Sequence, residues 1–330
     1  MAAALWGVAG FVLAAAGTRA ALAYARHRSL LDLPDARRNH AVPTPRGGGI
    51  GIAAALLVVY AAAAWIGSWS ALQAAACSLG LILVAGAGWV DDHRPVSPWG
   101  RLATHAAAGL LLAIVPASGG DWWAAACAVL LVPALVNIWN FMDGINGIAT
   151  IKTVVCLLLL CLLLPGEGAW PVWAMLGACL GFLPFNFPKA RIFLGDVGSG
   201  TLGFALAAAV ILNVGYTGDL AWLMLMPAAP FLVDAGFTLL KRMIRRERWW
   251  LPHSQHLYQR LVRGGRSHTH VALGYAAFSM LAVILALFIA ELNLERTLLF
   301  GVIAGWFLFV SAVWFSIKDG TDAEENSGLE

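Results

Sequence analysis

The sequence predicts an all-α protein, a polytopic bundle of about 11 membrane-crossing helices. Three observations predict it. Only 12% of the 330 residues are charged, where an average soluble domain carries roughly 25%. The hydrophobic share is 60% and the mean hydropathy is +0.77. The apolar residues also gather in runs close to the ~20 residues that cross a hydrocarbon core. Such a chain lacks the polar residues to cover a water-soluble enzyme and is too apolar to be disordered. Its pI of about 8.7 does not come from a basic surface, so no nucleic-acid partner is expected.

The runs lie near 2–25, 48–67, 71–90, 102–118, 122–140, 147–165, 169–185, 197–214, 219–240, 271–290 and 296–317. Each is expected to be helical, because a lone spanning segment satisfies its backbone in lipid only as a helix. The stretch Met1 to Ala16 has no positive start and is too long for a signal-peptide core, so it reads as a retained first helix. The connections after runs 2, 4, 6, 8 and 10 hold one basic residue, Arg296. The other Lys and Arg lie in the remaining connections, their helix ends and the tail. By the positive-inside rule these are cytoplasmic, with the N-terminus outside and the C-terminus inside. We expect one integral-membrane domain over 1–318, with cytoplasmic loops 26–47, 91–101, 137–147, 185–197 and 241–270. A short acidic cytoplasmic tail, 319–330, follows. Five cysteines sit in apolar runs without a C-x-x-C spacing and read as small packing residues.

The loops carry the chemistry. The first ends Pro43-Thr44-Pro45-Arg46-Gly47-Gly48-Gly49 before a helix start. Its glycines suit either a phosphate approached by free N–H groups or a rigid turn. The second opens with Asp91-Asp92 and closes at Arg101. Adjacent acids at the end of an apolar helix are expensive to desolvate unless a metal or cation meets them. The alternative is a solvated pair balanced by Arg94 and Arg101.

The third loop runs from Asn137 to Gly147. Asn137, Asn140 and Asp143 at three-residue spacing would line one helix face, with Asn146 beyond a glycine. Helix–helix bonding or capping is the alternative. The fourth places Asp196 before a glycine-rich helix start, where an acid is a cap or part of a hard-cation site. Mg²⁺ favours one or two carboxylates plus substrate phosphates. The fifth is the most basic and contains His253-Ser254-Gln255-His256-Leu257-Tyr258-Gln259-Arg260-Leu261. Its two histidines have no third zinc ligand at a suitable spacing, which favours anion binding. Asp234, inside run 9, fits either a helix–helix bond or a cavity wall.

Taken together, P-T-P-R-G-G-G, the D-D pair, N-x-x-N-F-M-D-G-I-N-G, F-N-F-P-x-A-R-I-F-x-G-D-x-G-S and H-S-Q-H-L-Y-Q-R-L resemble the polyprenyl-phosphate N-acetylhexosamine-1-phosphate transferases, glycosyltransferase family 4. The resemblance covers nearly the whole chain from about Arg38 to Arg266. The span count looks more like the branch that starts O-antigen carriers than the muramyl-pentapeptide branch. The resemblance implies transfer of a sugar-1-phosphate from a UDP-N-acetyl sugar to undecaprenyl phosphate, with release of UMP. It implies Mg²⁺, with Mn²⁺ as an alternative, and a bacterial cytoplasmic (inner) membrane with the site on its cytoplasmic face among membrane lipids. A homodimer is compatible with it.

By resemblance, Asp196 is a metal ligand with Asn140 as second ligand. Asp91, Asp92, Asp143 and Asp196 form the candidate catalytic set. Arg101 would hold the diphosphate, Phe193 and Asn146 the uracil, and His253 with His256 the sugar and phosphate. Arg46 and Asn137 complete the candidate substrate-binding set. This chain departs from the muramyl-pentapeptide branch in two places. It has His253-Ser254-Gln255-His256 where that branch has three adjacent histidines, and Asn146 where it has aspartate. A non-catalytic transporter or flippase is the competing class. It should place polar groups near the bilayer midplane, whereas here acids and amides cluster at one face. A CDP-alcohol phosphotransferase would need an Ala-Arg that Asp143-Gly144-Ile145-Asn146-Gly147 does not supply.

Overall fold

The computed structural model describes residues 2–34, 42–164, 169–251 and 253–317. The expected acidic tail and residues 35–41 of the first expected loop fall outside the described residues. The helices are α1 (Ala2–His27), α2 (Ile50–Trp65), α3 (Ala71–His93), α4 (Pro98–Ser118), α5 (Trp122–Phe141), α6 (Ile148–Leu163), α7 (Trp170–Asn186), α8 (Gly195–Thr217), α9 (Leu225–Ile244), α10 (Leu257–Arg263), α11 (His268–Glu291) and α12 (Arg296–Ser316). A 3-10 turn over Gly218–Met224 joins α8 to α9. One two-residue ladder, β1 (Leu31–Asp32) against β2 (Thr44–Pro45), is antiparallel.

Among the described residues, eight helical segments are long and apolar enough to cross a membrane. The protein is therefore a multi-pass helical membrane protein. α2 and α6 are apolar but have 16 residues each, or about 24 Å at the helical rise. That is a little short of the ~30 Å hydrocarbon core. α8 is the central helix and is nearly all buried, packing against α3, α5 and α6. α1 lies along α7, α4 along α5, α11 against α6 and α9, and α12 against α9.

Local sequence explains the helix starts. The Ser70 hydroxyl accepts from Gln73 N–H, and Gln73 Oε1 accepts from Ser70 N–H in return. Ser97 caps α4 just before Pro98 at its first position, where a missing N–H costs nothing. Asp121 Oδ1 accepts from Ala124 N–H at 2.9 Å to start α5.

The loop boundaries contract relative to the sequence expectation. Asp91 and Asp92 are in the last turn of α3, Asn137 and Asn140 in the last turns of α5, and Asp196 in the first turn of α8. Asp143 lies past the end of α5, so the single helical stripe of Asn137, Asn140 and Asp143 is not formed. The expected 241–270 loop contains a helix, α10, which is too short to read from periodicity. The C-terminal ends of α3, α5 and α7 and the N-terminal ends of α2, α4 and α8 meet at one end of the bundle. That end holds the candidate site.

Candidate active site

Two cavities share one polar wall. The first, about 230 Å³, is lined by Asp92, Asn146 and Phe193, with Asn186, Gly195 and Asp32 behind them. The second, about 610 Å³, is lined by Asp91, Arg101, His253, His256, Tyr258 and Trp250. Arg46, Asn140, Asp143, Gly144, Asp196 and Gln259 line both. Of the sequence-derived site residues only Asn137 lies on neither. Its amide donates to Pro133 O at 2.7 Å and lies 3.1 Å from His105 Nδ1. It reaches only a small cleft that also touches Asn140, Arg101 and Asp196.

The acids divide by environment. Asp92 is 2% exposed. Its Oδ1 accepts from the N–H of Asp196 at 3.1 Å and its Oδ2 from the N–H of Val197 at 3.2 Å. α8 has no capping side chain of its own. Asp92, reaching over from α3, satisfies two of its orphan donors and sits at the positive end of its dipole. Of the two readings of Asp196, the capping one is set aside: Asp92 caps this helix, and Asp196 is left facing the cavities. Gly195 explains how Asp92 comes so close. It has a φ of +75, and a Cβ there would lie 2.6 Å from Asp92 Oδ2.

Arg101 Nη1 donates to Asp91 Oδ2 and to Asp196 Oδ2, both at 2.9 Å. Its side chain is 23% exposed, against 15% for Asp91 and 32% for Asp196. Asp91 Oδ1 also accepts from Val96 N–H at 2.5 Å, which fixes the α3–α4 turn. Asp143 is the least compensated acid. Burial holds its carboxyl well above the usual carboxylate range, and the charges of Asp196 and Asp92 push the same way.

The glycine loop departs from a phosphate cradle. Gly48 N–H donates to Phe193 O and Gly49 N–H to Leu194 O, each at 2.9 Å. Phe193 N–H donates to Pro45 O at 2.8 Å. Two N–H groups that the phosphate reading would need free are therefore used to pair the first and fourth loops, as the rigid-turn reading has it. A side chain at Gly49 would collide with the backbone of Gly198, so the glycines serve close approach of two helix starts. The pairing holds Phe193 at the cavity mouth. Arg46, from the same loop, lies 3.9 Å from Asp32 and faces both cavities.

Asn146 Nδ2 donates to Pro188 O at 3.0 Å. Asn186, 3% exposed, accepts from Gly147 N–H at 2.8 Å and donates to Ile192 O at 3.0 Å. It ties the third loop to the fourth, a role its sequence neighbours did not signal. Asn140 Nδ2 donates to Ser199 Oγ at 3.1 Å, which leaves its amide oxygen as the group to offer the cavities.

The basic loop closes the second cavity. The His253 and His256 rings are 4.8 Å apart. His253 is pushed down to about 3 by burial, then by His256 and Arg242. Burial also lowers His256, against the opposing charge of Asp234. Both are neutral imidazoles near pH 7. Gln259 was not singled out by sequence. One helical turn beyond His256, it accepts from His256 N–H at 3.3 Å and lines both cavities.

A hard divalent cation fits this chemistry. Asp143 and Asp196 supply carboxylates and Asn140 an amide oxygen on one shared wall, and the repulsion felt by Asp143 is what a cation would relieve. Among the described residues, no three His, Cys, Asp or Glu side chains converge on one point. Most ligands of such an ion would therefore come from substrate and water.

Comparison with known proteins agrees with the sequence motifs. The sequence model of glycosyl transferase family 4 matches residues 74–214. A decaprenyl-phosphate N-acetylglucosaminephosphotransferase of Mycobacterium tuberculosis is 30% identical, over 77% of this chain and 72% of the relative. A probable undecaprenyl-phosphate N-acetylglucosaminyl 1-phosphate transferase of Bacillus subtilis is 24% identical, over 72% of this chain and 71% of its own. A phospho-N-acetylmuramoyl-pentapeptide-transferase of Moorella thermoacetica is 33% identical but over only 38% of this chain and 49% of its own. The match to the first relative, over about three quarters of each chain, and the matched segment, which spans α3 to α8 and most of the acidic wall, place the chain in glycosyl transferase family 4, the polyprenyl-phosphate N-acetylhexosamine-1-phosphate transferases.

Proposed function

We propose that the protein transfers N-acetylglucosamine-1-phosphate from UDP-N-acetylglucosamine to undecaprenyl phosphate, releasing UMP and opening the synthesis of a cell-surface glycan. One observation carries this: two cavities meet at a single wall of two acids, two amides and Arg46. Two substrates whose phosphates must react need such a shared wall. The nucleotide would occupy the side of Phe193 and Asn146, with the ring of Phe193 available for stacking on uracil. The sugar and diphosphate would face His253, His256 and Arg101.

Phosphoryl transfer asks mainly for positioning and charge neutralisation. The chain's own residues supply much of both. Arg101 is held by two acids so that its remaining N–H groups can meet a diphosphate. Arg46 adds a second cation, and Gln259 a neutral amide. Asp196 and Asn140, with Asp143 beside them, would hold a Mg²⁺ ion, whose positive charge would offset that of the diphosphate. Asp91, which lines the second cavity with Trp250 and Leu251, would orient the acceptor phosphate. With a second pKa of about 6, that phosphate is already largely dianionic and needs no strong base. Direct displacement is the mechanism we favour.

In the membrane, all 11 helices of 16 residues or more would cross. The site would face the cytoplasm of the bacterial inner membrane, where nucleotide sugars and basic loops both reside. The deciding experiment incubates purified protein with undecaprenyl phosphate, Mg²⁺ and a panel of UDP-N-acetyl sugars. UMP release that requires the lipid and is fastest with the GlcNAc donor is expected. No UMP from any donor would end the proposal.

A further inference from the structure

Asp234 lies in the membrane-crossing part of α9, is 0% exposed, and takes no part in the two cavities. An acid there is costly to insert in a membrane helix, so its surroundings must return a specific gain. The Thr238 hydroxyl of the same helix donates to Oδ1 at 3.4 Å, and the other donors come from three other helices. Oδ1 accepts from the N–H of Leu257 at 2.8 Å and from Trp314 Nε1–H at 3.2 Å. Oδ2 accepts from the Tyr275 hydroxyl at 2.8 Å and from the N–H of Tyr258 at 3.4 Å. His256 Nδ1 is 4.0 Å from Oδ1. Tyr275 belongs to α11 and Trp314 to α12, while Leu257 and Tyr258 open α10.

α10 has seven residues. A helix that short does not persist by propensity, so contacts from outside must hold it. Three of its flanking and internal residues, His256, Tyr258 and Gln259, line the second cavity. Asp234 binds the two N–H groups that follow His256 directly. Tyr258 continues the chain of contacts, its hydroxyl donating to Phe141 O at 3.0 Å, two residues before Asp143.

We propose that Asp234 is a positioning residue for the sugar-phosphate donor, acting from beneath the site by fixing the first turn of α10 and so the placement of His256 and Gln259. This rests on the donor being a nucleotide sugar, as proposed above. Asp234 touches no substrate. Its carboxyl only accepts hydrogen bonds, and an amide in its place can accept with one oxygen alone.

Two variants isolate the effect. Asp234→Asn keeps the shape and removes half the accepting capacity. Leu257→Pro removes the N–H donated to Asp234. The first position of a helix tolerates proline, and His256 at φ −62 and ψ 147 already has the extended conformation that precedes one. Trp314→Phe serves as control, because it removes a different donor to the same oxygen while keeping an aromatic ring under Arg260 of α10. Donor affinity is read by calorimetry with UDP-N-acetylglucosamine and no acceptor, and KM for each substrate by UMP release.

Both test variants should weaken donor affinity and raise donor KM about tenfold, while acceptor KM stays within twofold. Trp314→Phe should leave both within twofold. Asp234→Asn combined with His256→Gln should weaken the donor no more than the stronger single variant. Equal loss for donor and acceptor, a Trp314→Phe variant that matches Asp234→Asn, or additive losses in the double variant would overturn the proposal in favour of a general packing role. If Asp234→Asn does not fold, Leu257→Pro decides. A wild-type protein that binds the donor but releases no UMP would sink the functional reading and leave the affinity comparison to judge Asp234.

Discussion

The carboxylate of Asp92 accepts the backbone N–H of Asp196 at 3.1 Å. One acid thereby fixes the helix turn that presents the other. The two differ in task although both are acids in the same cluster. Asp92 is spent on α8, and Asp196 is aimed at the cavities with Arg101 as partner.

Asp92→Asn should destabilise the fold. One of its two bonds to α8 must fail, because an amide nitrogen cannot accept from N–H, and the favourable charge at the helix start is lost. Caps are worth ~1–2 kcal/mol, so the melting temperature in detergent should fall by several degrees with no ligand present. An unchanged melting temperature would show that Asp92 does not hold α8.

Asp196→Asn should do the reverse. It relieves repulsion among Asp91, Asp92 and Asp143, and Arg101 can still donate to the amide oxygen. The melting temperature should hold or rise while turnover falls by a factor of about a thousand or more, the scale of a lost charge-stabilising group. Near-normal turnover at every Mg²⁺ concentration would remove Asp196 from the metal.

Arg101→Ala should raise KM for the nucleotide sugar about tenfold, or ~1.4 kcal/mol. Lysine should rescue it only in part, because an ammonium cannot bridge Asp91 and Asp196 and also present a planar fork to a diphosphate. Steady-state kinetics with the donor varied at saturating lipid makes the measurement.

The imidazole of His253 gives a pH prediction with a definite sign. Its folded value, about 3, lies below its ordinary 6.5. The unfolded chain therefore takes up the proton first as pH falls. The stability this group contributes is complete above pH 6.5 and is lost as pH drops from there toward 3. His253→Gln should flatten that part of a melting-temperature profile. In kcat/KM, which reports free enzyme, no limb near pH 6.5 should change on the substitution.

Much of this site was legible in the sequence because scarcity made it so. In a chain with few charges, Asp91, Asp92, Asp143 and Asp196 stand out, and the structure gathers all four. What was not legible depends on distance along the chain. Asp92 caps a helix that begins about a hundred residues later, and nothing near Asp196 announces a remote cap. Gly48 and Gly49 look like a phosphate loop until their partners, Phe193 and Leu194, are known. α10 hides in a basic stretch because seven residues cannot display a helical period. Asp234 could be seen as an anomaly, but its role lies in backbone N–H groups, which no side-chain motif records.

The final prediction concerns the metal. Asp196 and Asn140 stand on different helices, α8 and α5, and meet at the wall shared by both cavities. Their oxygens give few ligands, and Mg²⁺ retains water readily and takes the rest from phosphate. Mg²⁺ alone should therefore bind weakly, and far better once the nucleotide sugar is present. Chelation with EDTA should abolish UMP release, and added Mg²⁺ should restore it. Asn140→Ala should shift the half-saturating Mg²⁺ concentration upward by about tenfold with little change in the rate at saturation, since it removes a neutral ligand and leaves the charge of Asp196. If the Mg²⁺ dependence of Asn140→Ala matched wild type, Asn140 would be confined to its bond with Ser199, and the ion would have to be sought beside Asp143.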